Sequence, residues 1–268
     1  MIEVMRRYVF GFVNSHDFDV PRGIMSEDYT LHVGTATLVG RDDHYLPAVR
    51  QQMDQFPQLG YSIHELITDG DQTAVLFSEH GRSSREPDRE AAWIGMAIYR
   101  AAESLLVECW VEQDHYGKRR QLASGVSNPV PPVATDPWSG HERADPQASL
   151  IARPLVRDWL RRLKMWPPAG SRLDSGFADA EQPRIRITET DLIAVVAEGS
   201  RVAFNARIVG EYQGGLPEHE RQIGCTVETW VGAIGDLVDD AATHLRGASN
   251  RVAVARQLRA ARERAHRL

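Results

Sequence analysis

The sequence predicts an α+β protein made of two related units, each with helices ahead of a run of antiparallel hairpins. Three observations predict it. Apolar residues recur first at helical and then at strand spacing in the front part; five of the fourteen prolines crowd between Pro129 and Pro146; and a shorter helix-then-hairpin series follows that break.

Each element has its own signal. Ile2, Met5, Val9, Phe12 and Val13 lie on one face of a helix that stops at Asn14-Ser15-His16-Asp17, and a short second helix is expected at Pro21 to Met25. A strand-like segment, Tyr29 to Val39, leads to Gly40-Arg41-Asp42-Asp43 and a helix carrying Leu46, Val49, Met53 and Phe56, with Pro47 tolerated in its first turn. Beyond Pro57 the pattern is strand: Tyr61 to Thr68, an Asp69-Gly70-Asp71 turn, Thr73 to Gly81, Ala91 to Arg100 and Leu105 to Asp114. After the Pro-rich stretch, Leu155, Trp159, Leu163 and Trp166 mark a helix ended by Pro167-Pro168. Ile185 to Val196, Arg201 to Glu211 and Gln222 to Val231 then read as a second set of hairpins. Setting Asp69-Gly70-Asp71 over Glu198-Gly199-Ser200 also brings Ala74-Val75 over Ala203-Phe204 and Tyr99 near Trp230, which favours an internal duplication. The back copy lacks the block around Tyr29 to Phe56. The expected organisation is therefore residues 1–125, a linker 126–148, a degenerate second unit 149–249 and a C-terminal helix 250–268.

That last segment holds six arginines and one glutamate, +5 formally, which leaves −11 for the rest of a chain whose total is −6. Val254, Leu258, Ala261, Ala265 and Leu268 share one face, so a basic amphipathic helix docking on the acidic body or on a second subunit is expected, rather than a nucleic-acid or membrane-binding segment. No apolar run reaches the ~18–20 residues of a membrane span, and the N-terminus lacks a secretory pattern, so a cytoplasmic protein is expected. Cys109 and Cys225 make neither a disulfide framework nor a zinc site and read as inert thiols. His64-Glu65 and His115 form no metal set, and phosphate loops and G-x-S-x-G elbows are absent, so no metal and no cofactor is expected. Only Lys118 and Lys164 among 31 basic residues are lysines, a bias that points to a GC-rich, actinobacterial-type genome.

Taken together, several front-part pieces resemble the SnoaL-like polyketide cyclase branch of the nuclear transport factor 2-like superfamily. They are Arg7-Tyr8-Val9, Asn14-Ser15-His16-Asp17, Ser26-Glu27-Asp28-Tyr29 with His32 and Gly34, Gly40-Arg41-Asp42, Phe56-Pro57, Asp69-Gly70-Asp71 and Val107-Glu108-Cys109-Trp110. The resemblance covers about 115 residues and implies a cone: a bent antiparallel sheet wrapped round helices, enclosing an apolar pocket. It also implies a carboxylate or histidine tuned by burial for enolisation or water activation, and pairing of units through the outer sheet face, in a homodimer or within a tandem chain. In the cyclases a pocket aspartate commonly follows the last-strand Trp, and a polar residue lies two positions before the aromatic of the preceding strand; here those positions hold Val111 and Ala97. Glu112 or Asp114 would supply the group after a one-residue slip, but a slip turns the side chain to the opposite face.

The candidates that remain are Asp114 and His32 for proton transfer, Tyr8 and Tyr29 for polarising a carbonyl, Trp93, Met96 and Trp110 for gripping a flat ligand, and one of Glu79 and His80, which as neighbours face opposite sides of their strand. The expected function is binding of a hydrophobic, polycyclic aromatic, polyketide-type molecule in the front cone, in bacterial secondary metabolism such as antibiotic biosynthesis, with cofactor-free cyclase or isomerase chemistry. The alternatives are a non-catalytic binding or accessory protein and a polyether-type epoxide hydrolase. A catalytic site requires an ionisable group buried in an apolar pocket, a binding site requires the pocket without that group, and an interaction protein would have its cone filled by side chains.

Overall fold

A computed structural model describes residues 1–142, 144–174 and 181–265. The front unit begins with α1 (Ile2–Arg6), which continues as a π-helical segment over Arg7–Val13, and a 3-10 turn, Val20–Gly23. β1 (Met25–Val33) and β2 (Ala36–Val39) follow, then a π-helical Arg41–Tyr45 leading into α2 (Leu46–Gln55). β3 (Gly60–Thr68), β4 (Gln72–Arg82), β5 (Glu90–Ala102), β6 (Leu105–Gln113) and α3 (His115–Ser124) complete it. The segment expected as a single strand, Tyr29 to Val39, is a hairpin. It turns at Gly34, whose φ of 55° is one that L side chains rarely adopt. α3 was not foreseen; its signals are Asp114, whose side chain accepts from the Gly117 N–H, and Gly125, left-handed just past its end.

The strand order is β2-β1-β6-β5-β4-β3. β1 runs parallel to β6 while the other neighbours are antiparallel, so the sheet is mixed rather than wholly antiparallel. Alternation assigns its faces. Val75 and Phe77 of β4, Trp93, Ala97 and Tyr99 of β5, and Leu106, Cys109 and Val111 of β6 point inward to the helices, whereas Ala74, Leu76, Ile94, Met96 and Ile98 point outward.

The back unit repeats this plan in reduced form with α4 (Pro146–Arg162), β7 (Met165–Trp166), β8 (Arg172–Leu173), β9 (Ile185–Glu198), β10 (Arg201–Tyr212), β11 (Thr226–Val238), β12 (Ala241–Ser249) and α5 (Arg251–Ala265). Its order is β7-β9-β10-β11-β12-β8, in which β8-β12-β11-β10-β9 follows the front β1-β6-β5-β4-β3, while β7 beside β9 has no front counterpart and the front β2 has none in the back sheet. The two-residue β8 pairs parallel to β12 as β1 pairs to β6, and α5 follows β12 as α3 follows β6. Register corrects the alignment made from sequence. Trp230 pairs with Arg207, and Ile94 pairs with Ser78, the residue matching Arg207 when the two hairpin turns are aligned; Trp230 therefore corresponds to Ile94 and not to Tyr99. Trp166 lies on β7, beyond the end of α4. β12 was also missed; its turn is made by Asp239 and Asp240, both at positive φ.

The two sheets pack outer face to outer face. Ile67, Leu76, Met96 and Ile98 of the front sheet meet Ala194, Val196, Ala203, Ile234 and Ala248 of the back sheet in one buried cluster. Gly232 sits where an added Cβ would lie 3.0 Å from the Met96 carbonyl oxygen, so a bare backbone there sets how closely the sheets approach. Polar contacts rim the cluster: Glu65 pairs with Arg201 and Arg246, Ser149 donates to Asp69 (2.6 Å), and the Thr68 N–H donates to Glu198 (2.9 Å). The Pro-rich stretch lies along the front unit, with the Ala134 N–H on the Ile63 carbonyl (2.8 Å) and Trp138 against Phe10. α4 starts at Pro146, within the last residues of the expected linker. α5 buries Val254, Ala255 and Leu258 in the back core and leaves Arg256 and Arg259 outside. Leu268, expected on the same face, lies outside the described residues. Among the described residues no helix is long and apolar enough to cross a membrane.

Candidate functional site

The interior of the front unit is a packed cluster of rings. Tyr8, Tyr29, Tyr45, Tyr61 and Tyr99 converge there with Phe12, Phe56, Phe77 and Trp93, and all are buried. The Tyr8 and Tyr45 hydroxyls share a hydrogen bond of 2.8 Å, Tyr29 and Tyr45 meet edge to face, and Tyr61 stacks on Phe77 at 4.5 Å. Burial pushes all five phenols above their ordinary range, and Cys109 likewise, so each is a neutral hydrogen-bonding group. The Tyr29 and Tyr61 hydroxyls are buried without a hydrogen-bond partner. Tyr45→Phe strands the Tyr8 hydroxyl, and a loss of about 1–3 kcal/mol in urea unfolding is expected.

One carboxylate enters this interior. Glu79 faces inward, in step with Val75 and Phe77, and pairs across the ladder with Trp93. It accepts from Gln52 of α2 (2.6 Å), and burial holds its carboxyl above the ordinary value against the opposing pull of Lys118, Gln52, Trp93 and Gln113. Its charge in turn raises the phenols of Tyr8, Tyr45 and Tyr61. Between α2 and α3 lies a cleft of about 490 Å³ lined by Gln55, Glu86, His115, Lys118, Arg119 and Leu122, with Glu79 buried outside its lining. Lys118 belongs to both cleft and core, its Nζ 4.5 Å from the Trp93 ring centre and 5.7 Å from that of Phe56. The His115 ring is pushed down to about 3, first by burial and then by Lys118 and Arg119, so it is neutral at physiological pH, and its Nδ1 is buried and unbonded.

The residues expected from the sequence divide by strand parity. Tyr8, Tyr29 and Trp93 are in the cone. His32, Trp110, Met96 and His80 are on the outer face. His32 stacks on Trp110 at 5.6 Å and bonds to Glu108 (3.0 Å) and Thr37 (3.2 Å); Met96 is part of the contact between sheets; His80 bonds to Ser62 (3.1 Å). In the β4 pair it is Glu79 that looks inward. Asp114 is buried, but at the junction of the units, capping α3 and ion-paired with Arg251. It is not brought together with His32 or the tyrosines. Glu112, the other group a slip would supply, points outward and accepts from the Gly34 N–H (2.8 Å). Alternation running from the Asp69-Gly70-Asp71 turn places Glu79 on the face of Val75 and Phe77, which decides the Glu79–His80 pair, whereas Lys118 and Gln52 were not singled out.

Residues 5–109, from α1 to the middle of β6, match the SnoaL-like domain family. The front unit is a SnoaL-like domain. Solved structures similar to the chain include IdmH of Streptomyces antibioticus, described as a candidate polyketide cyclase (19% identity over 45% of this chain and 96% of that one, TM-score 0.39). A candidate SnoaL-like polyketide cyclase from Jannaschia sp. CCS1 is also similar (14%, 46% and 91%, 0.43), as is an epoxide hydrolase from M. tuberculosis described as LEH-like (14%, 47% and 90%, 0.39). No curated protein matches the sequence. Each of these structures covers about half of this chain, and the second sheet lies beyond the residues matched to the family. The match covers Tyr8, Tyr29, Glu79 and Trp93 but stops short of α3, so Lys118 and His115 are contributed by sequence beyond it. Among the described residues no three His, Cys, Asp or Glu side chains are placed to hold a metal ion.

Proposed function

We propose that the SnoaL-like domain carries out cofactor-free acid–base chemistry on a hydrophobic, oxygenated ring compound of the aromatic polyketide type, in an isomerisation or ring closure. The reading rests on Glu79, a carboxylate on the inner face of an apolar cone with its proton held more tightly than in water, near neutral phenols and linked through the Lys118 amine to a cleft of ligand size. Such a carboxylate is suited to take a proton from carbon next to a carbonyl, with a phenol of Tyr8 or Tyr45 donating to the carbonyl oxygen as enolate charge builds. The cleft offers amide, imidazole and amine groups beside Leu122, which suits a ring compound bearing several oxygens.

The test is proton exchange. With 1-naphthyl ketones in deuterated buffer, the protein is expected to accelerate exchange of the α-protons, and Glu79→Gln to lower that rate by about 10²-fold with folding unchanged. Equal rates for the two proteins would remove the acid–base reading.

The packed interior supports a second reading, a non-catalytic accessory protein whose cone is filled by its own side chains. Tyr8, Phe12, Tyr45 and Tyr99 leave their rings in mutual contact at centroid separations of 5.3–6.4 Å. Under this reading naphthyl ketones neither quench tryptophan fluorescence on titration nor undergo exchange.

A further inference from the structure

Lys118 stands apart from the other cations of the chain. Arginine is otherwise used at nearly every basic position, and Lys164, the second lysine, is exposed in the turn after α4. An arginine at position 118 would carry a permanent charge; a lysine can give up its proton and become a nucleophile. Its surroundings weaken its hold on the proton. Burial lowers its proton affinity first, Arg119 adds to this, and only Glu79 opposes. The amine lies over the Trp93 ring, the same ring that pairs across the ladder with Glu79, and it opens to the cleft beside the unbonded Nδ1 of His115. An amine over the Trp93 ring, a carboxylate on the residue opposite Trp93 across the ladder and a neutral imidazole lining the same cleft make a constellation for carbonyl chemistry that hydrogen bonding alone does not need.

We propose that Lys118 captures a ketone or aldehyde substrate covalently as an iminium at the mouth of the cone. This deepens the acid–base reading and rests on it for the steps after capture. The nitrogen lone pair forms a C–N bond to the carbonyl carbon while the carbonyl π pair moves to oxygen, and the proton that the nitrogen must shed passes to that oxygen. The resulting carbinolamine takes a proton from solvent on its hydroxyl and loses water as the nitrogen lone pair forms the C=N bond, so the carbonyl oxygen leaves as H2O and the iminium remains. Glu79 then accepts the α-proton, and the C–H electron pair flows into the iminium to give an enamine. Reprotonation or C–C bond formation at that carbon, followed by addition of water, returns product and the free amine. The substrate class is an aldehyde or ketone with an α-hydrogen, attached to a flat apolar body.

Reductive trapping tests it. The full-length protein is incubated at pH 7 with 2-naphthaldehyde and sodium cyanoborohydride, and the labelled site is mapped by peptide mass spectrometry. Lys118 is expected to gain the mass of the aldehyde less one oxygen, about 10-fold or more faster than Lys164. Lys118→Arg, which keeps a cation over Trp93, is expected to remove that adduct and leave the thermal midpoint within a few degrees. Lys118 labelled no faster than Lys164 would overturn the iminium. Loss of α-proton exchange in Glu79→Gln together with an unreactive Lys118 would leave the acid–base reading standing without covalent capture. A reactive Lys118 with no exchange would do the reverse, leaving capture without proton abstraction.

Discussion

Replacing Arg251 by methionine is expected to lower the stability of the protein by about 3–5 kcal/mol at pH 7, the largest loss expected from any single substitution proposed for it. Arg251 opens α5, is buried, and is shared by two buried carboxylates from different units. It is ion-paired with Asp114, which caps α3 of the front unit, and its Nε lies 3.4 Å from Asp174 Oδ2 in the back unit; its Nη1 also donates to the Glu181 carbonyl. Asp174 accepts in addition from the Ser249 N–H and hydroxyl (2.8 Å each) and from Gln182 (2.8 Å). Without the guanidinium two carboxylates face each other with no cation between them, and neither can be rehydrated. Burial already pushes Asp174 up to about 6, with Asp114 adding to the rise and Arg251 opposing it. A carboxyl that binds its proton more tightly folded than unfolded contributes stability below its ordinary value of 3.8, and that contribution is lost as the pH rises through about 6. Arg251→Met is therefore expected to recover part of its loss at pH 5. Adding Asp114→Asn and Asp174→Asn should recover most of it at pH 7. A loss under about 1 kcal/mol in urea unfolding would show that water reaches the cluster.

The same residues show why the fold was legible and the site was not. Helices ahead of hairpins, the Asp69-Gly70-Asp71 turn and the repeat of the plan after the prolines are local signals, readable from spacing because each reflects the period of its own element. The parallel pairing of β1 with β6, and of β8 with β12, joins segments distant in sequence and leaves no period to read. β8, with two residues, is too short to carry one. Site assignment failed through strand phase. His32, His80, Met96 and Trp110 all have the right chemistry, and strand alternation turns each outward; Met96 and Trp110 read as interior because the outer face is itself buried against a second sheet and as apolar as the inner one. Hydrophobicity alone then gives two candidate interiors. The residue that separates them is Glu79, an acid flanked by Val75, Phe77 and Trp93 on the face that the helices cover. Asp114 was rightly singled out as an unusual carboxylate, but its partner Arg251 lies 137 residues away in the C-terminal helix, a contact that no local pattern encodes.

Glu112 gives the second large effect, and it stems from that same outer face. It is 2% exposed, takes the Gly34 N–H as its hydrogen-bond donor, and feels the charge of Asp174 across the junction. Burial raises it first, the hydrogen bond opposes, and the result is a carboxyl pushed up to about 8 from an ordinary 4.5. Between these values the folded protein holds a proton that the unfolded chain has released, so stability falls as the pH rises through the interval, by up to about 1.4 kcal/mol per pH unit for one proton. From pH 5 to pH 8 the contribution amounts to several kcal/mol, present in full below pH 4.5 and lost by about pH 8. Glu112→Gln keeps an acceptor for Gly34 and carries no charge at any pH. It is expected to match the parent protein near pH 5, to exceed it in unfolding free energy by about 2 kcal/mol or more at pH 8, and to flatten the difference between the two stability profiles below the interval. Urea unfolding of both proteins at half-unit steps from pH 4.5 to 8.5 measures this difference directly, because titrations common to the two cancel. Parallel profiles across that range would mean that Glu112 ionises in the folded state as it does in water, and that the contact between the sheets near Gly34 admits solvent.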